Sequence, residues 1–160
     1  MGVYSFLDTS VSIVGPGINV NIEGGTPGSE QIGSGAGAAK EGVSVAFDDP
    51  KNTKVVGADG ALMHSLHASQ AGKITVRLLK TSPINSVLSQ AYASQKSSAA
   101  NWGQNVIVVT NNVLGDVGEG QQMAIEKFPD NEYAEDGNTL TWVFTGLVDE
   151  LLGPGLAVAA

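Results

Sequence analysis

Alternating apolar and polar positions run through most of the chain, and this two-residue period is typical of β-strands with one buried face. The clearest case is Lys73 to Lys80, where Ile74, Val76 and Leu78 share one face. The same alternation, with turn residues at the ends, predicts strands at residues 8–14, 18–22, 43–47, 53–56, 61–67, 123–128 and 138–145. The continuous apolar run Val106 to Val109 predicts a buried central strand over residues 106–112. The pattern therefore predicts about nine or ten strands.

Turn residues divide these strands into hairpins. Gly15-Pro16-Gly17 separates the first two strands, and Asp59-Gly60 supplies the positive φ angles that a tight hairpin turn needs. We interpret the glycine-rich segment 115–120 as another turn. These signals predict hairpins over residues 8–22 and 53–67.

One amphipathic helix is predicted at about residues 83–95. Ser82 is suited to cap its first N–H groups, and Pro83 suits the first helical position, where no N–H is needed. Apolar side chains at positions i, i+3, i+4, i+7 and i+8 form one stripe, which we expect to pack on a sheet: Ile84, Val87, Leu88, Ala91 and Tyr92.

Together these elements predict a mainly β fold, an antiparallel β-sandwich or partly open barrel with one flanking α-helix, in a single domain over residues 1–160. Residues 55–92 are the best-specified stretch, and we expect them to form the rigid body of the domain. Two segments lack the pattern. Residues 23–42 are predicted to be a long Gly-rich loop, and residues 147–160 a flexible C-terminal arm.

Composition narrows the class of protein. The net charge is −8, with 8 Lys and Arg against 16 Asp and Glu, which disfavours tight binding to nucleic-acid phosphates. The chain has no cysteine, which rules out disulfides and thiolate metal sites but leaves the redox compartment open. It has no basic leader and no apolar run of the roughly 20 residues that span a bilayer, so we expect a soluble, unexported protein that does not insert into membranes. Charged residues make up only 15% and glycines number 21, which favours a surface that largely meets other subunits; the alternative is a β domain that is merely rich in glycine.

No segment of the sequence carries a strong motif for phosphate binding, metal binding or catalysis. The run Gly33 to Gly37 lacks the strand-to-helix context and the Lys-Ser/Thr ending of a phosphate loop, and Asp48-Asp49 precedes a proline in a turn. His64 and His67 fall on opposite faces of a strand, so they cannot share a metal ion. Residues 130–136 are acidic without the order of a calcium loop. We therefore expect no catalytic residues, no metal, no cofactor and no enzymatic activity.

Several segments together resemble the tail tube proteins of contractile-tailed bacteriophages, which are similar to the tube proteins of pyocins and type VI secretion systems. The resemblance covers most of the chain and is firmest over residues 43–92. It is carried by the opening Tyr4 to Gly17, by Gly57-Ala58-Asp59-Gly60, by Met63 to His67, and by Val76 to Pro83 with Asn85 and Leu88 after it.

The resemblance implies a β-sandwich or barrel with a flanking helix that forms hexameric rings, stacked into a hollow inner tail tube. Double-stranded DNA would pass through its lumen without specific binding. The implied partners are neighbouring copies, the tail sheath, the tape-measure protein, and the baseplate and tail terminator proteins. The implied location is the virion tail, after assembly in the cytoplasm of the host bacterium.

Ring contacts are expected in the Gly-rich loop and in the turn after the next strand: Glu23, Thr26, Ser29, Gln31, Ile32, Lys40, Asp48, Asp49 and Lys51. An alternative remains open at the level of the residues. A virion-surface or cell-surface β-sandwich binding module would use the same loops for a ligand and would form no tube.

Overall fold

The computed structural model describes residues 9–16, 18–22, 38–80, 84–111, 114–137 and 139–153. Within these residues the chain forms β1 (Thr9–Gly15), β2 (Ile18–Ile22), β3 (Ala38–Phe47), β4 (Asn52–Val56), β5 (Leu62–Leu66), β6 (Ala71–Leu79), α1 (Ile84–Lys96), β7 (Asn105–Asn111), β8 (Asp116–Lys127) and β9 (Thr139–Leu151). The predicted fold class, mainly β and antiparallel with one flanking helix, is confirmed.

Seven strands form one sheet in the order β2-β1-β7-β8-β9-β6-β3, while β4 and β5 pair only with each other. Every pairing is antiparallel. Among the described strands, β2 and β3 each pair on one side only, so the sheet does not close into a barrel.

One face of the large sheet and one side of α1 share a single core. The sheet contributes the alternating residues that the two-residue period predicted, for example Ile74, Val76 and Leu78, all at most 1% exposed. The sheet also curls over this face. A Cβ placed on Gly118 of β8 would lie 3.4 Å from Cγ2 of Val45 in β3, although β9 and β6 lie between these two strands in the sheet.

Helix α1 buries a narrower stripe than the sequence predicted. Ile84, Leu88 and Ala91 are buried, and Tyr92 packs partly buried against the core. Val87 is 39% exposed, because it lies on the flank of a stripe that instead continues to Gln95, which is fully buried. Ser82 and Pro83 lie outside the described residues.

The interpretation of residues 115–120 as a turn is wrong, because β8 begins at Asp116 and runs through them. Close packing accounts for the glycine at position 120. A Cβ on Gly120 would lie 2.8 Å from Cδ1 of Ile74 and 2.9 Å from Cε of Met123, closer than side chains tolerate. Only Gly115, before the strand, takes a turn conformation, with φ of 77°.

Two loop boundaries also shift. Strand β3 begins at Ala38, inside the predicted loop, and its register with β6 breaks between Ala38 and Val43, next to Gly42 at φ 67°. Strand β9 continues to Leu151, inside the predicted C-terminal arm, because it pairs with the unexpected first half of β8. The remaining residues of both segments, 23–37 and 154–160, lie outside the described residues.

Residues 55–92 do not belong to one sheet, although the sequence groups them as one stretch. Strand β6 and α1 belong to the core, but β4 and β5 form a separate two-stranded sheet. All five residues of β4 are exposed, and β5 has one half-buried position. The hairpin is therefore an appendage of the sheet.

Candidate assembly surfaces

The most distinctive feature of the described surface is the hairpin of residues 51–67, which contains β4 and β5. Its turn is well formed. Gly57 N donates to Ala61 O at 2.7 Å, and Gly60 N donates to Gly57 O at 3.0 Å. Asp59 Oδ1 accepts from Ala61 N at 3.0 Å, and Gly60 has φ of 87°. These contacts fix the turn that the sequence predicted.

The hairpin exposes apolar side chains on both of its faces. Their exposed fractions range from 52% to 82%: Val55 52%, Leu62 53%, Met63 58%, Val56 61% and Leu66 82%. An isolated two-stranded hairpin is marginally stable in water, and a contiguous exposed apolar surface typically marks an interaction site. The hairpin is therefore a candidate contact surface.

The two faces of the hairpin differ in chemistry. On one face Lys54 is the register partner of His64, and Asn52 Nδ2 lies 3.0 Å from His64 Nδ1. On the other face Thr53 Oγ1 lies 2.6 Å from His67 Nε2. The histidines therefore point to opposite faces, as predicted, and each has a polar partner within the hairpin.

Three of the expected ring-contact residues lie at the root of the hairpin. Asp48 and Asp49 are exposed in the bend after β3, and exposed Lys51 donates from Nζ to Ser69 O at 3.0 Å. Lys40 lies in β3, but its side chain is not described. The other five lie outside the described residues: Glu23, Thr26, Ser29, Gln31 and Ile32.

Sequence reasoning missed the hairpin strands themselves as contact residues. A signal was available. Val55-Val56 and Leu62-Met63 are adjacent apolar pairs on either side of the turn, and adjacent residues of a strand point to opposite faces. A strand with apolar residues on both faces is typical of one that is covered on both sides, and within the described residues nothing covers this one.

A second exposed apolar surface lies on the large sheet, on the face away from the core. We name it the β8–β9 patch and define it by Val117, Glu119, Leu147, Asp149 and Leu151. Its three apolar members are 41% to 70% exposed. Glu119 and Asp149 are register partners on neighbouring strands. Beside them is a hollow of about 290 Å³, lined by Gln70, Glu119, Gln121, Leu147, Val148 and Asp149.

The described residues offer little for metal binding. They contain no group of three or more His, Cys, Asp or Glu side chains that could hold an ion. The acidic residues after β8 are exposed, and Asp130 forms an ion pair with Lys127 at 3.2 Å. No helix in the described part of the chain is long and apolar enough to cross a membrane.

Comparison with protein families gives one match that covers nearly the whole chain. Residues 1–153 match the family model described as Bacteriophage PhiTE tail tube protein. A sequence search of curated proteins found no match.

Solved structures with a similar fold come from contractile injection systems. One is the sheath/tube terminator of an extracellular contractile injection system, PVC, in the extended state, with TM-score 0.52, 13% identity, and coverage of 89% of this chain and 92% of that chain. Another is the tube-terminating cap of the anti-feeding prophage, AFP, with TM-score 0.51, 11% identity, and coverage of 96% and 93%. At these identities the likeness concerns the fold.

Proposed function

The chain belongs to the Bacteriophage PhiTE tail tube protein family, and from this premise we propose that it assembles into stacked hexameric rings that form the inner tube of a phage tail. Membership makes the protein a structural component of the virion tail and not an enzyme. The hexameric symmetry, the stacking and the delivery of DNA through the lumen are the parts that we propose.

The exposed hairpin is the observation that carries the proposal. Its five large apolar side chains are all more than half exposed, and they stand on an element that shares no strand pairing with the main sheet. Burying exposed apolar surface yields about 25 cal/mol per Å², so contact with a neighbouring copy would stabilise both subunits. A self-assembling tube subunit would bury such apolar surface against neighbouring copies, whereas a protein that stays monomeric would leave it exposed to water.

Electrostatics is compatible with the passage of DNA. A net charge of −8 over a chain with only 8 Lys and Arg offers few clustered cations for phosphates. Each phosphate contact adds salt-dependent affinity, and a tube that retained its DNA would oppose ejection. We therefore propose a lumen that DNA crosses without specific binding.

The proposed partners follow from the family and from the fold. Structures of similar fold are a sheath/tube terminator and a tube-terminating cap. We propose that this chain meets its own neighbours, a contractile sheath, a tape-measure protein, and baseplate and terminator proteins, after assembly in the host cytoplasm. The predicted contact residues of segment 23–40 and of the hairpin root belong to this proposal.

Electron microscopy of the purified protein tests the assembly. We expect rings or long tubes that become rare in the variant Leu62→Ser/Leu66→Ser, which removes apolar surface from the hairpin. Val87→Ser, which removes an exposed valine from the helix, is the matched control and should leave the tubes intact. A wild-type protein that stays monomeric at high concentration in light scattering would contradict the proposal and favour the surface binding module.

A further inference from the structure

We infer that the Lys54 face of the hairpin docks on the β8–β9 patch of a second copy of the chain. The inference rests on the proposed self-assembly and goes further, because it names the two surfaces that meet. Both surfaces belong to the same chain but are different, so the contact runs from head to tail.

The donor surface is the hairpin face that carries Lys54. Residues at every second position share this face, and the register places three exposed apolar side chains around the lysine: Val56, Leu62 and Leu66, with Asn52 and His64. Asn52 occupies Nδ1 of His64, which leaves Nε2 for a partner outside the hairpin. The face is therefore an apolar rim around a cation and an imidazole.

The acceptor surface has the same layout with the opposite charge. Glu119 and Asp149 are directly paired across two strands, and like charges in such pairs are destabilising. Among the described residues neither carboxylate forms a salt bridge, since Glu119 accepts from Gln121 and Asp149 accepts from the backbone N of Glu150. Exposed aliphatic side chains flank the two acids on the same face: Val117, Leu147 and Leu151.

Charge complementarity selects the occupant of the patch. The segments 116–121 and 147–152 contain four acidic residues and no Lys or Arg. The hairpin, residues 51–67, contains two lysines and two histidines against the single Asp59 at its turn. Two patches facing each other would bring four carboxylates together, and two hairpins would bring lysines together. A hairpin on a patch neutralises both surfaces and buries both apolar rims.

The hairpin and the β8–β9 patch lie side by side in each subunit, so the contact can repeat from one copy to the next. The backbone O of Gln70, just after the hairpin, accepts from Val148 N at 2.8 Å, so the root of the hairpin adjoins the patch of its own chain. The hairpin does not fold back on that patch, because its apolar residues are exposed. Each subunit thus presents a donor and an acceptor side by side, and heterologous contacts of this kind propagate into rings or filaments.

Charge reversal with rescue tests the inference. Lys54→Glu should abolish at least nine-tenths of the tubes counted by electron microscopy, because it places a carboxylate against two others. Glu119→Lys/Asp149→Lys should do the same. Mixing the two purified variants should restore co-assembly, since only that combination joins opposite charges again. Glu135→Lys, in the exposed acidic segment after β8, is the control for altered net charge and should leave tubes unchanged.

Cysteine cross-linking provides an independent measurement, because the chain contains no cysteine of its own. Leu62→Cys combined with Leu147→Cys or with Leu151→Cys should give a ladder of disulfide-linked oligomers on a non-reducing gel. Leu62→Cys combined with Val143→Cys, elsewhere on β9, should not. If the wild-type protein forms tubes but neither rescue nor a patch-specific ladder appears, the docking inference is wrong and the tube function stands. If the wild-type protein forms no assembly, the docking inference and the proposed tube function are both wrong.

Discussion

A buried pair of side-chain amides joins four elements of the fold, and its removal gives the sharpest stability prediction. Asn105 Nδ2 donates to Gln95 Oε1 at 2.9 Å and to Met123 O at 3.1 Å. Gln95 Nε2 donates to Asn105 Oδ1 at 2.7 Å and to Pro16 O at 2.9 Å. Both side chains are at most 1% exposed. The pair thus ties α1 to β7, to β8 and to the turn after β1.

We expect Asn105→Leu to lower the free energy of unfolding by about 2–4 kcal/mol. The change leaves an acceptor and one N–H of Gln95 without partners, and each unsatisfied buried group costs about 1–3 kcal/mol. Gln95→Met should have a similar effect. In the double variant both amides are replaced by apolar groups of similar shape, so the loss should be smaller than the sum of the single losses by about 1–3 kcal/mol.

Urea unfolding followed by circular dichroism measures these losses. The background should be Leu62→Ser/Leu66→Ser, because assembly would otherwise add concentration-dependent stability. For a chain of this size, each kcal/mol corresponds to a shift in Tm of about 2–4 °C. Gln90→Met, on the exposed side of the same helix, is the control and should change stability by less than about 0.5 kcal/mol. Strictly additive losses in the double variant would refute the reasoning.

Three further outcomes are expected. Gly15→Ala should cost about 1–3 kcal/mol in urea unfolding, because the new Cβ would lie 2.1 Å from Oδ1 of Asn105 and force the amide pair apart; an unchanged midpoint would contradict this. Gln122→Gly should stabilise by up to about 1 kcal/mol, because Gln122 has φ of 52° at a bulge in β8; a loss of stability would show that its side chain matters more. Replacing residues 26–36 by a short Gly-Ser linker should preserve the circular dichroism spectrum and block ring stacking in electron micrographs, because the segment has a single large aliphatic residue, Ile32; an unfolded variant would refute it.

The sequence predicted most of the strands, because the two-residue period directly reports which side chains face a core. Ile74, Val76 and Leu78 alternate with polar residues, and the structure buries all three. The first half of β8 escaped prediction for a physical reason. Glycine is typical of turns, but Gly120 sits where an added Cβ would lie 2.8 Å from Cδ1 of Ile74. That reason depends on a contact with Ile74, which only the tertiary structure brings near.

The candidate surfaces were harder to predict than the fold, because periodicity says which residues share a face and not whether anything covers that face. Strands β5 and β6 both have residues that share a face, yet the core covers one face of β6 and neither face of β5. The β8–β9 patch was hidden for a second reason. Glu119 and Asp149 are 30 residues apart in the chain and become neighbours only through the β8–β9 register. Glu119 also lies in the first half of β8, where the glycines predict a turn.

Because the hairpin lies outside the core, we expect substitutions in it to affect assembly more than the stability of the subunit. The core cluster contains no residue of β4 or β5, so apolar-to-polar changes in the hairpin remove contact surface without opening a cavity. Under the docking inference, the hairpin residues that contribute to affinity between subunits are different from those that form the core. Substitutions at Gln95 or Asn105 should change unfolding and leave tube contacts in place at low temperature, whereas substitutions at Lys54 should do the reverse. A single variant that strongly altered both would show that the hairpin is coupled to the core.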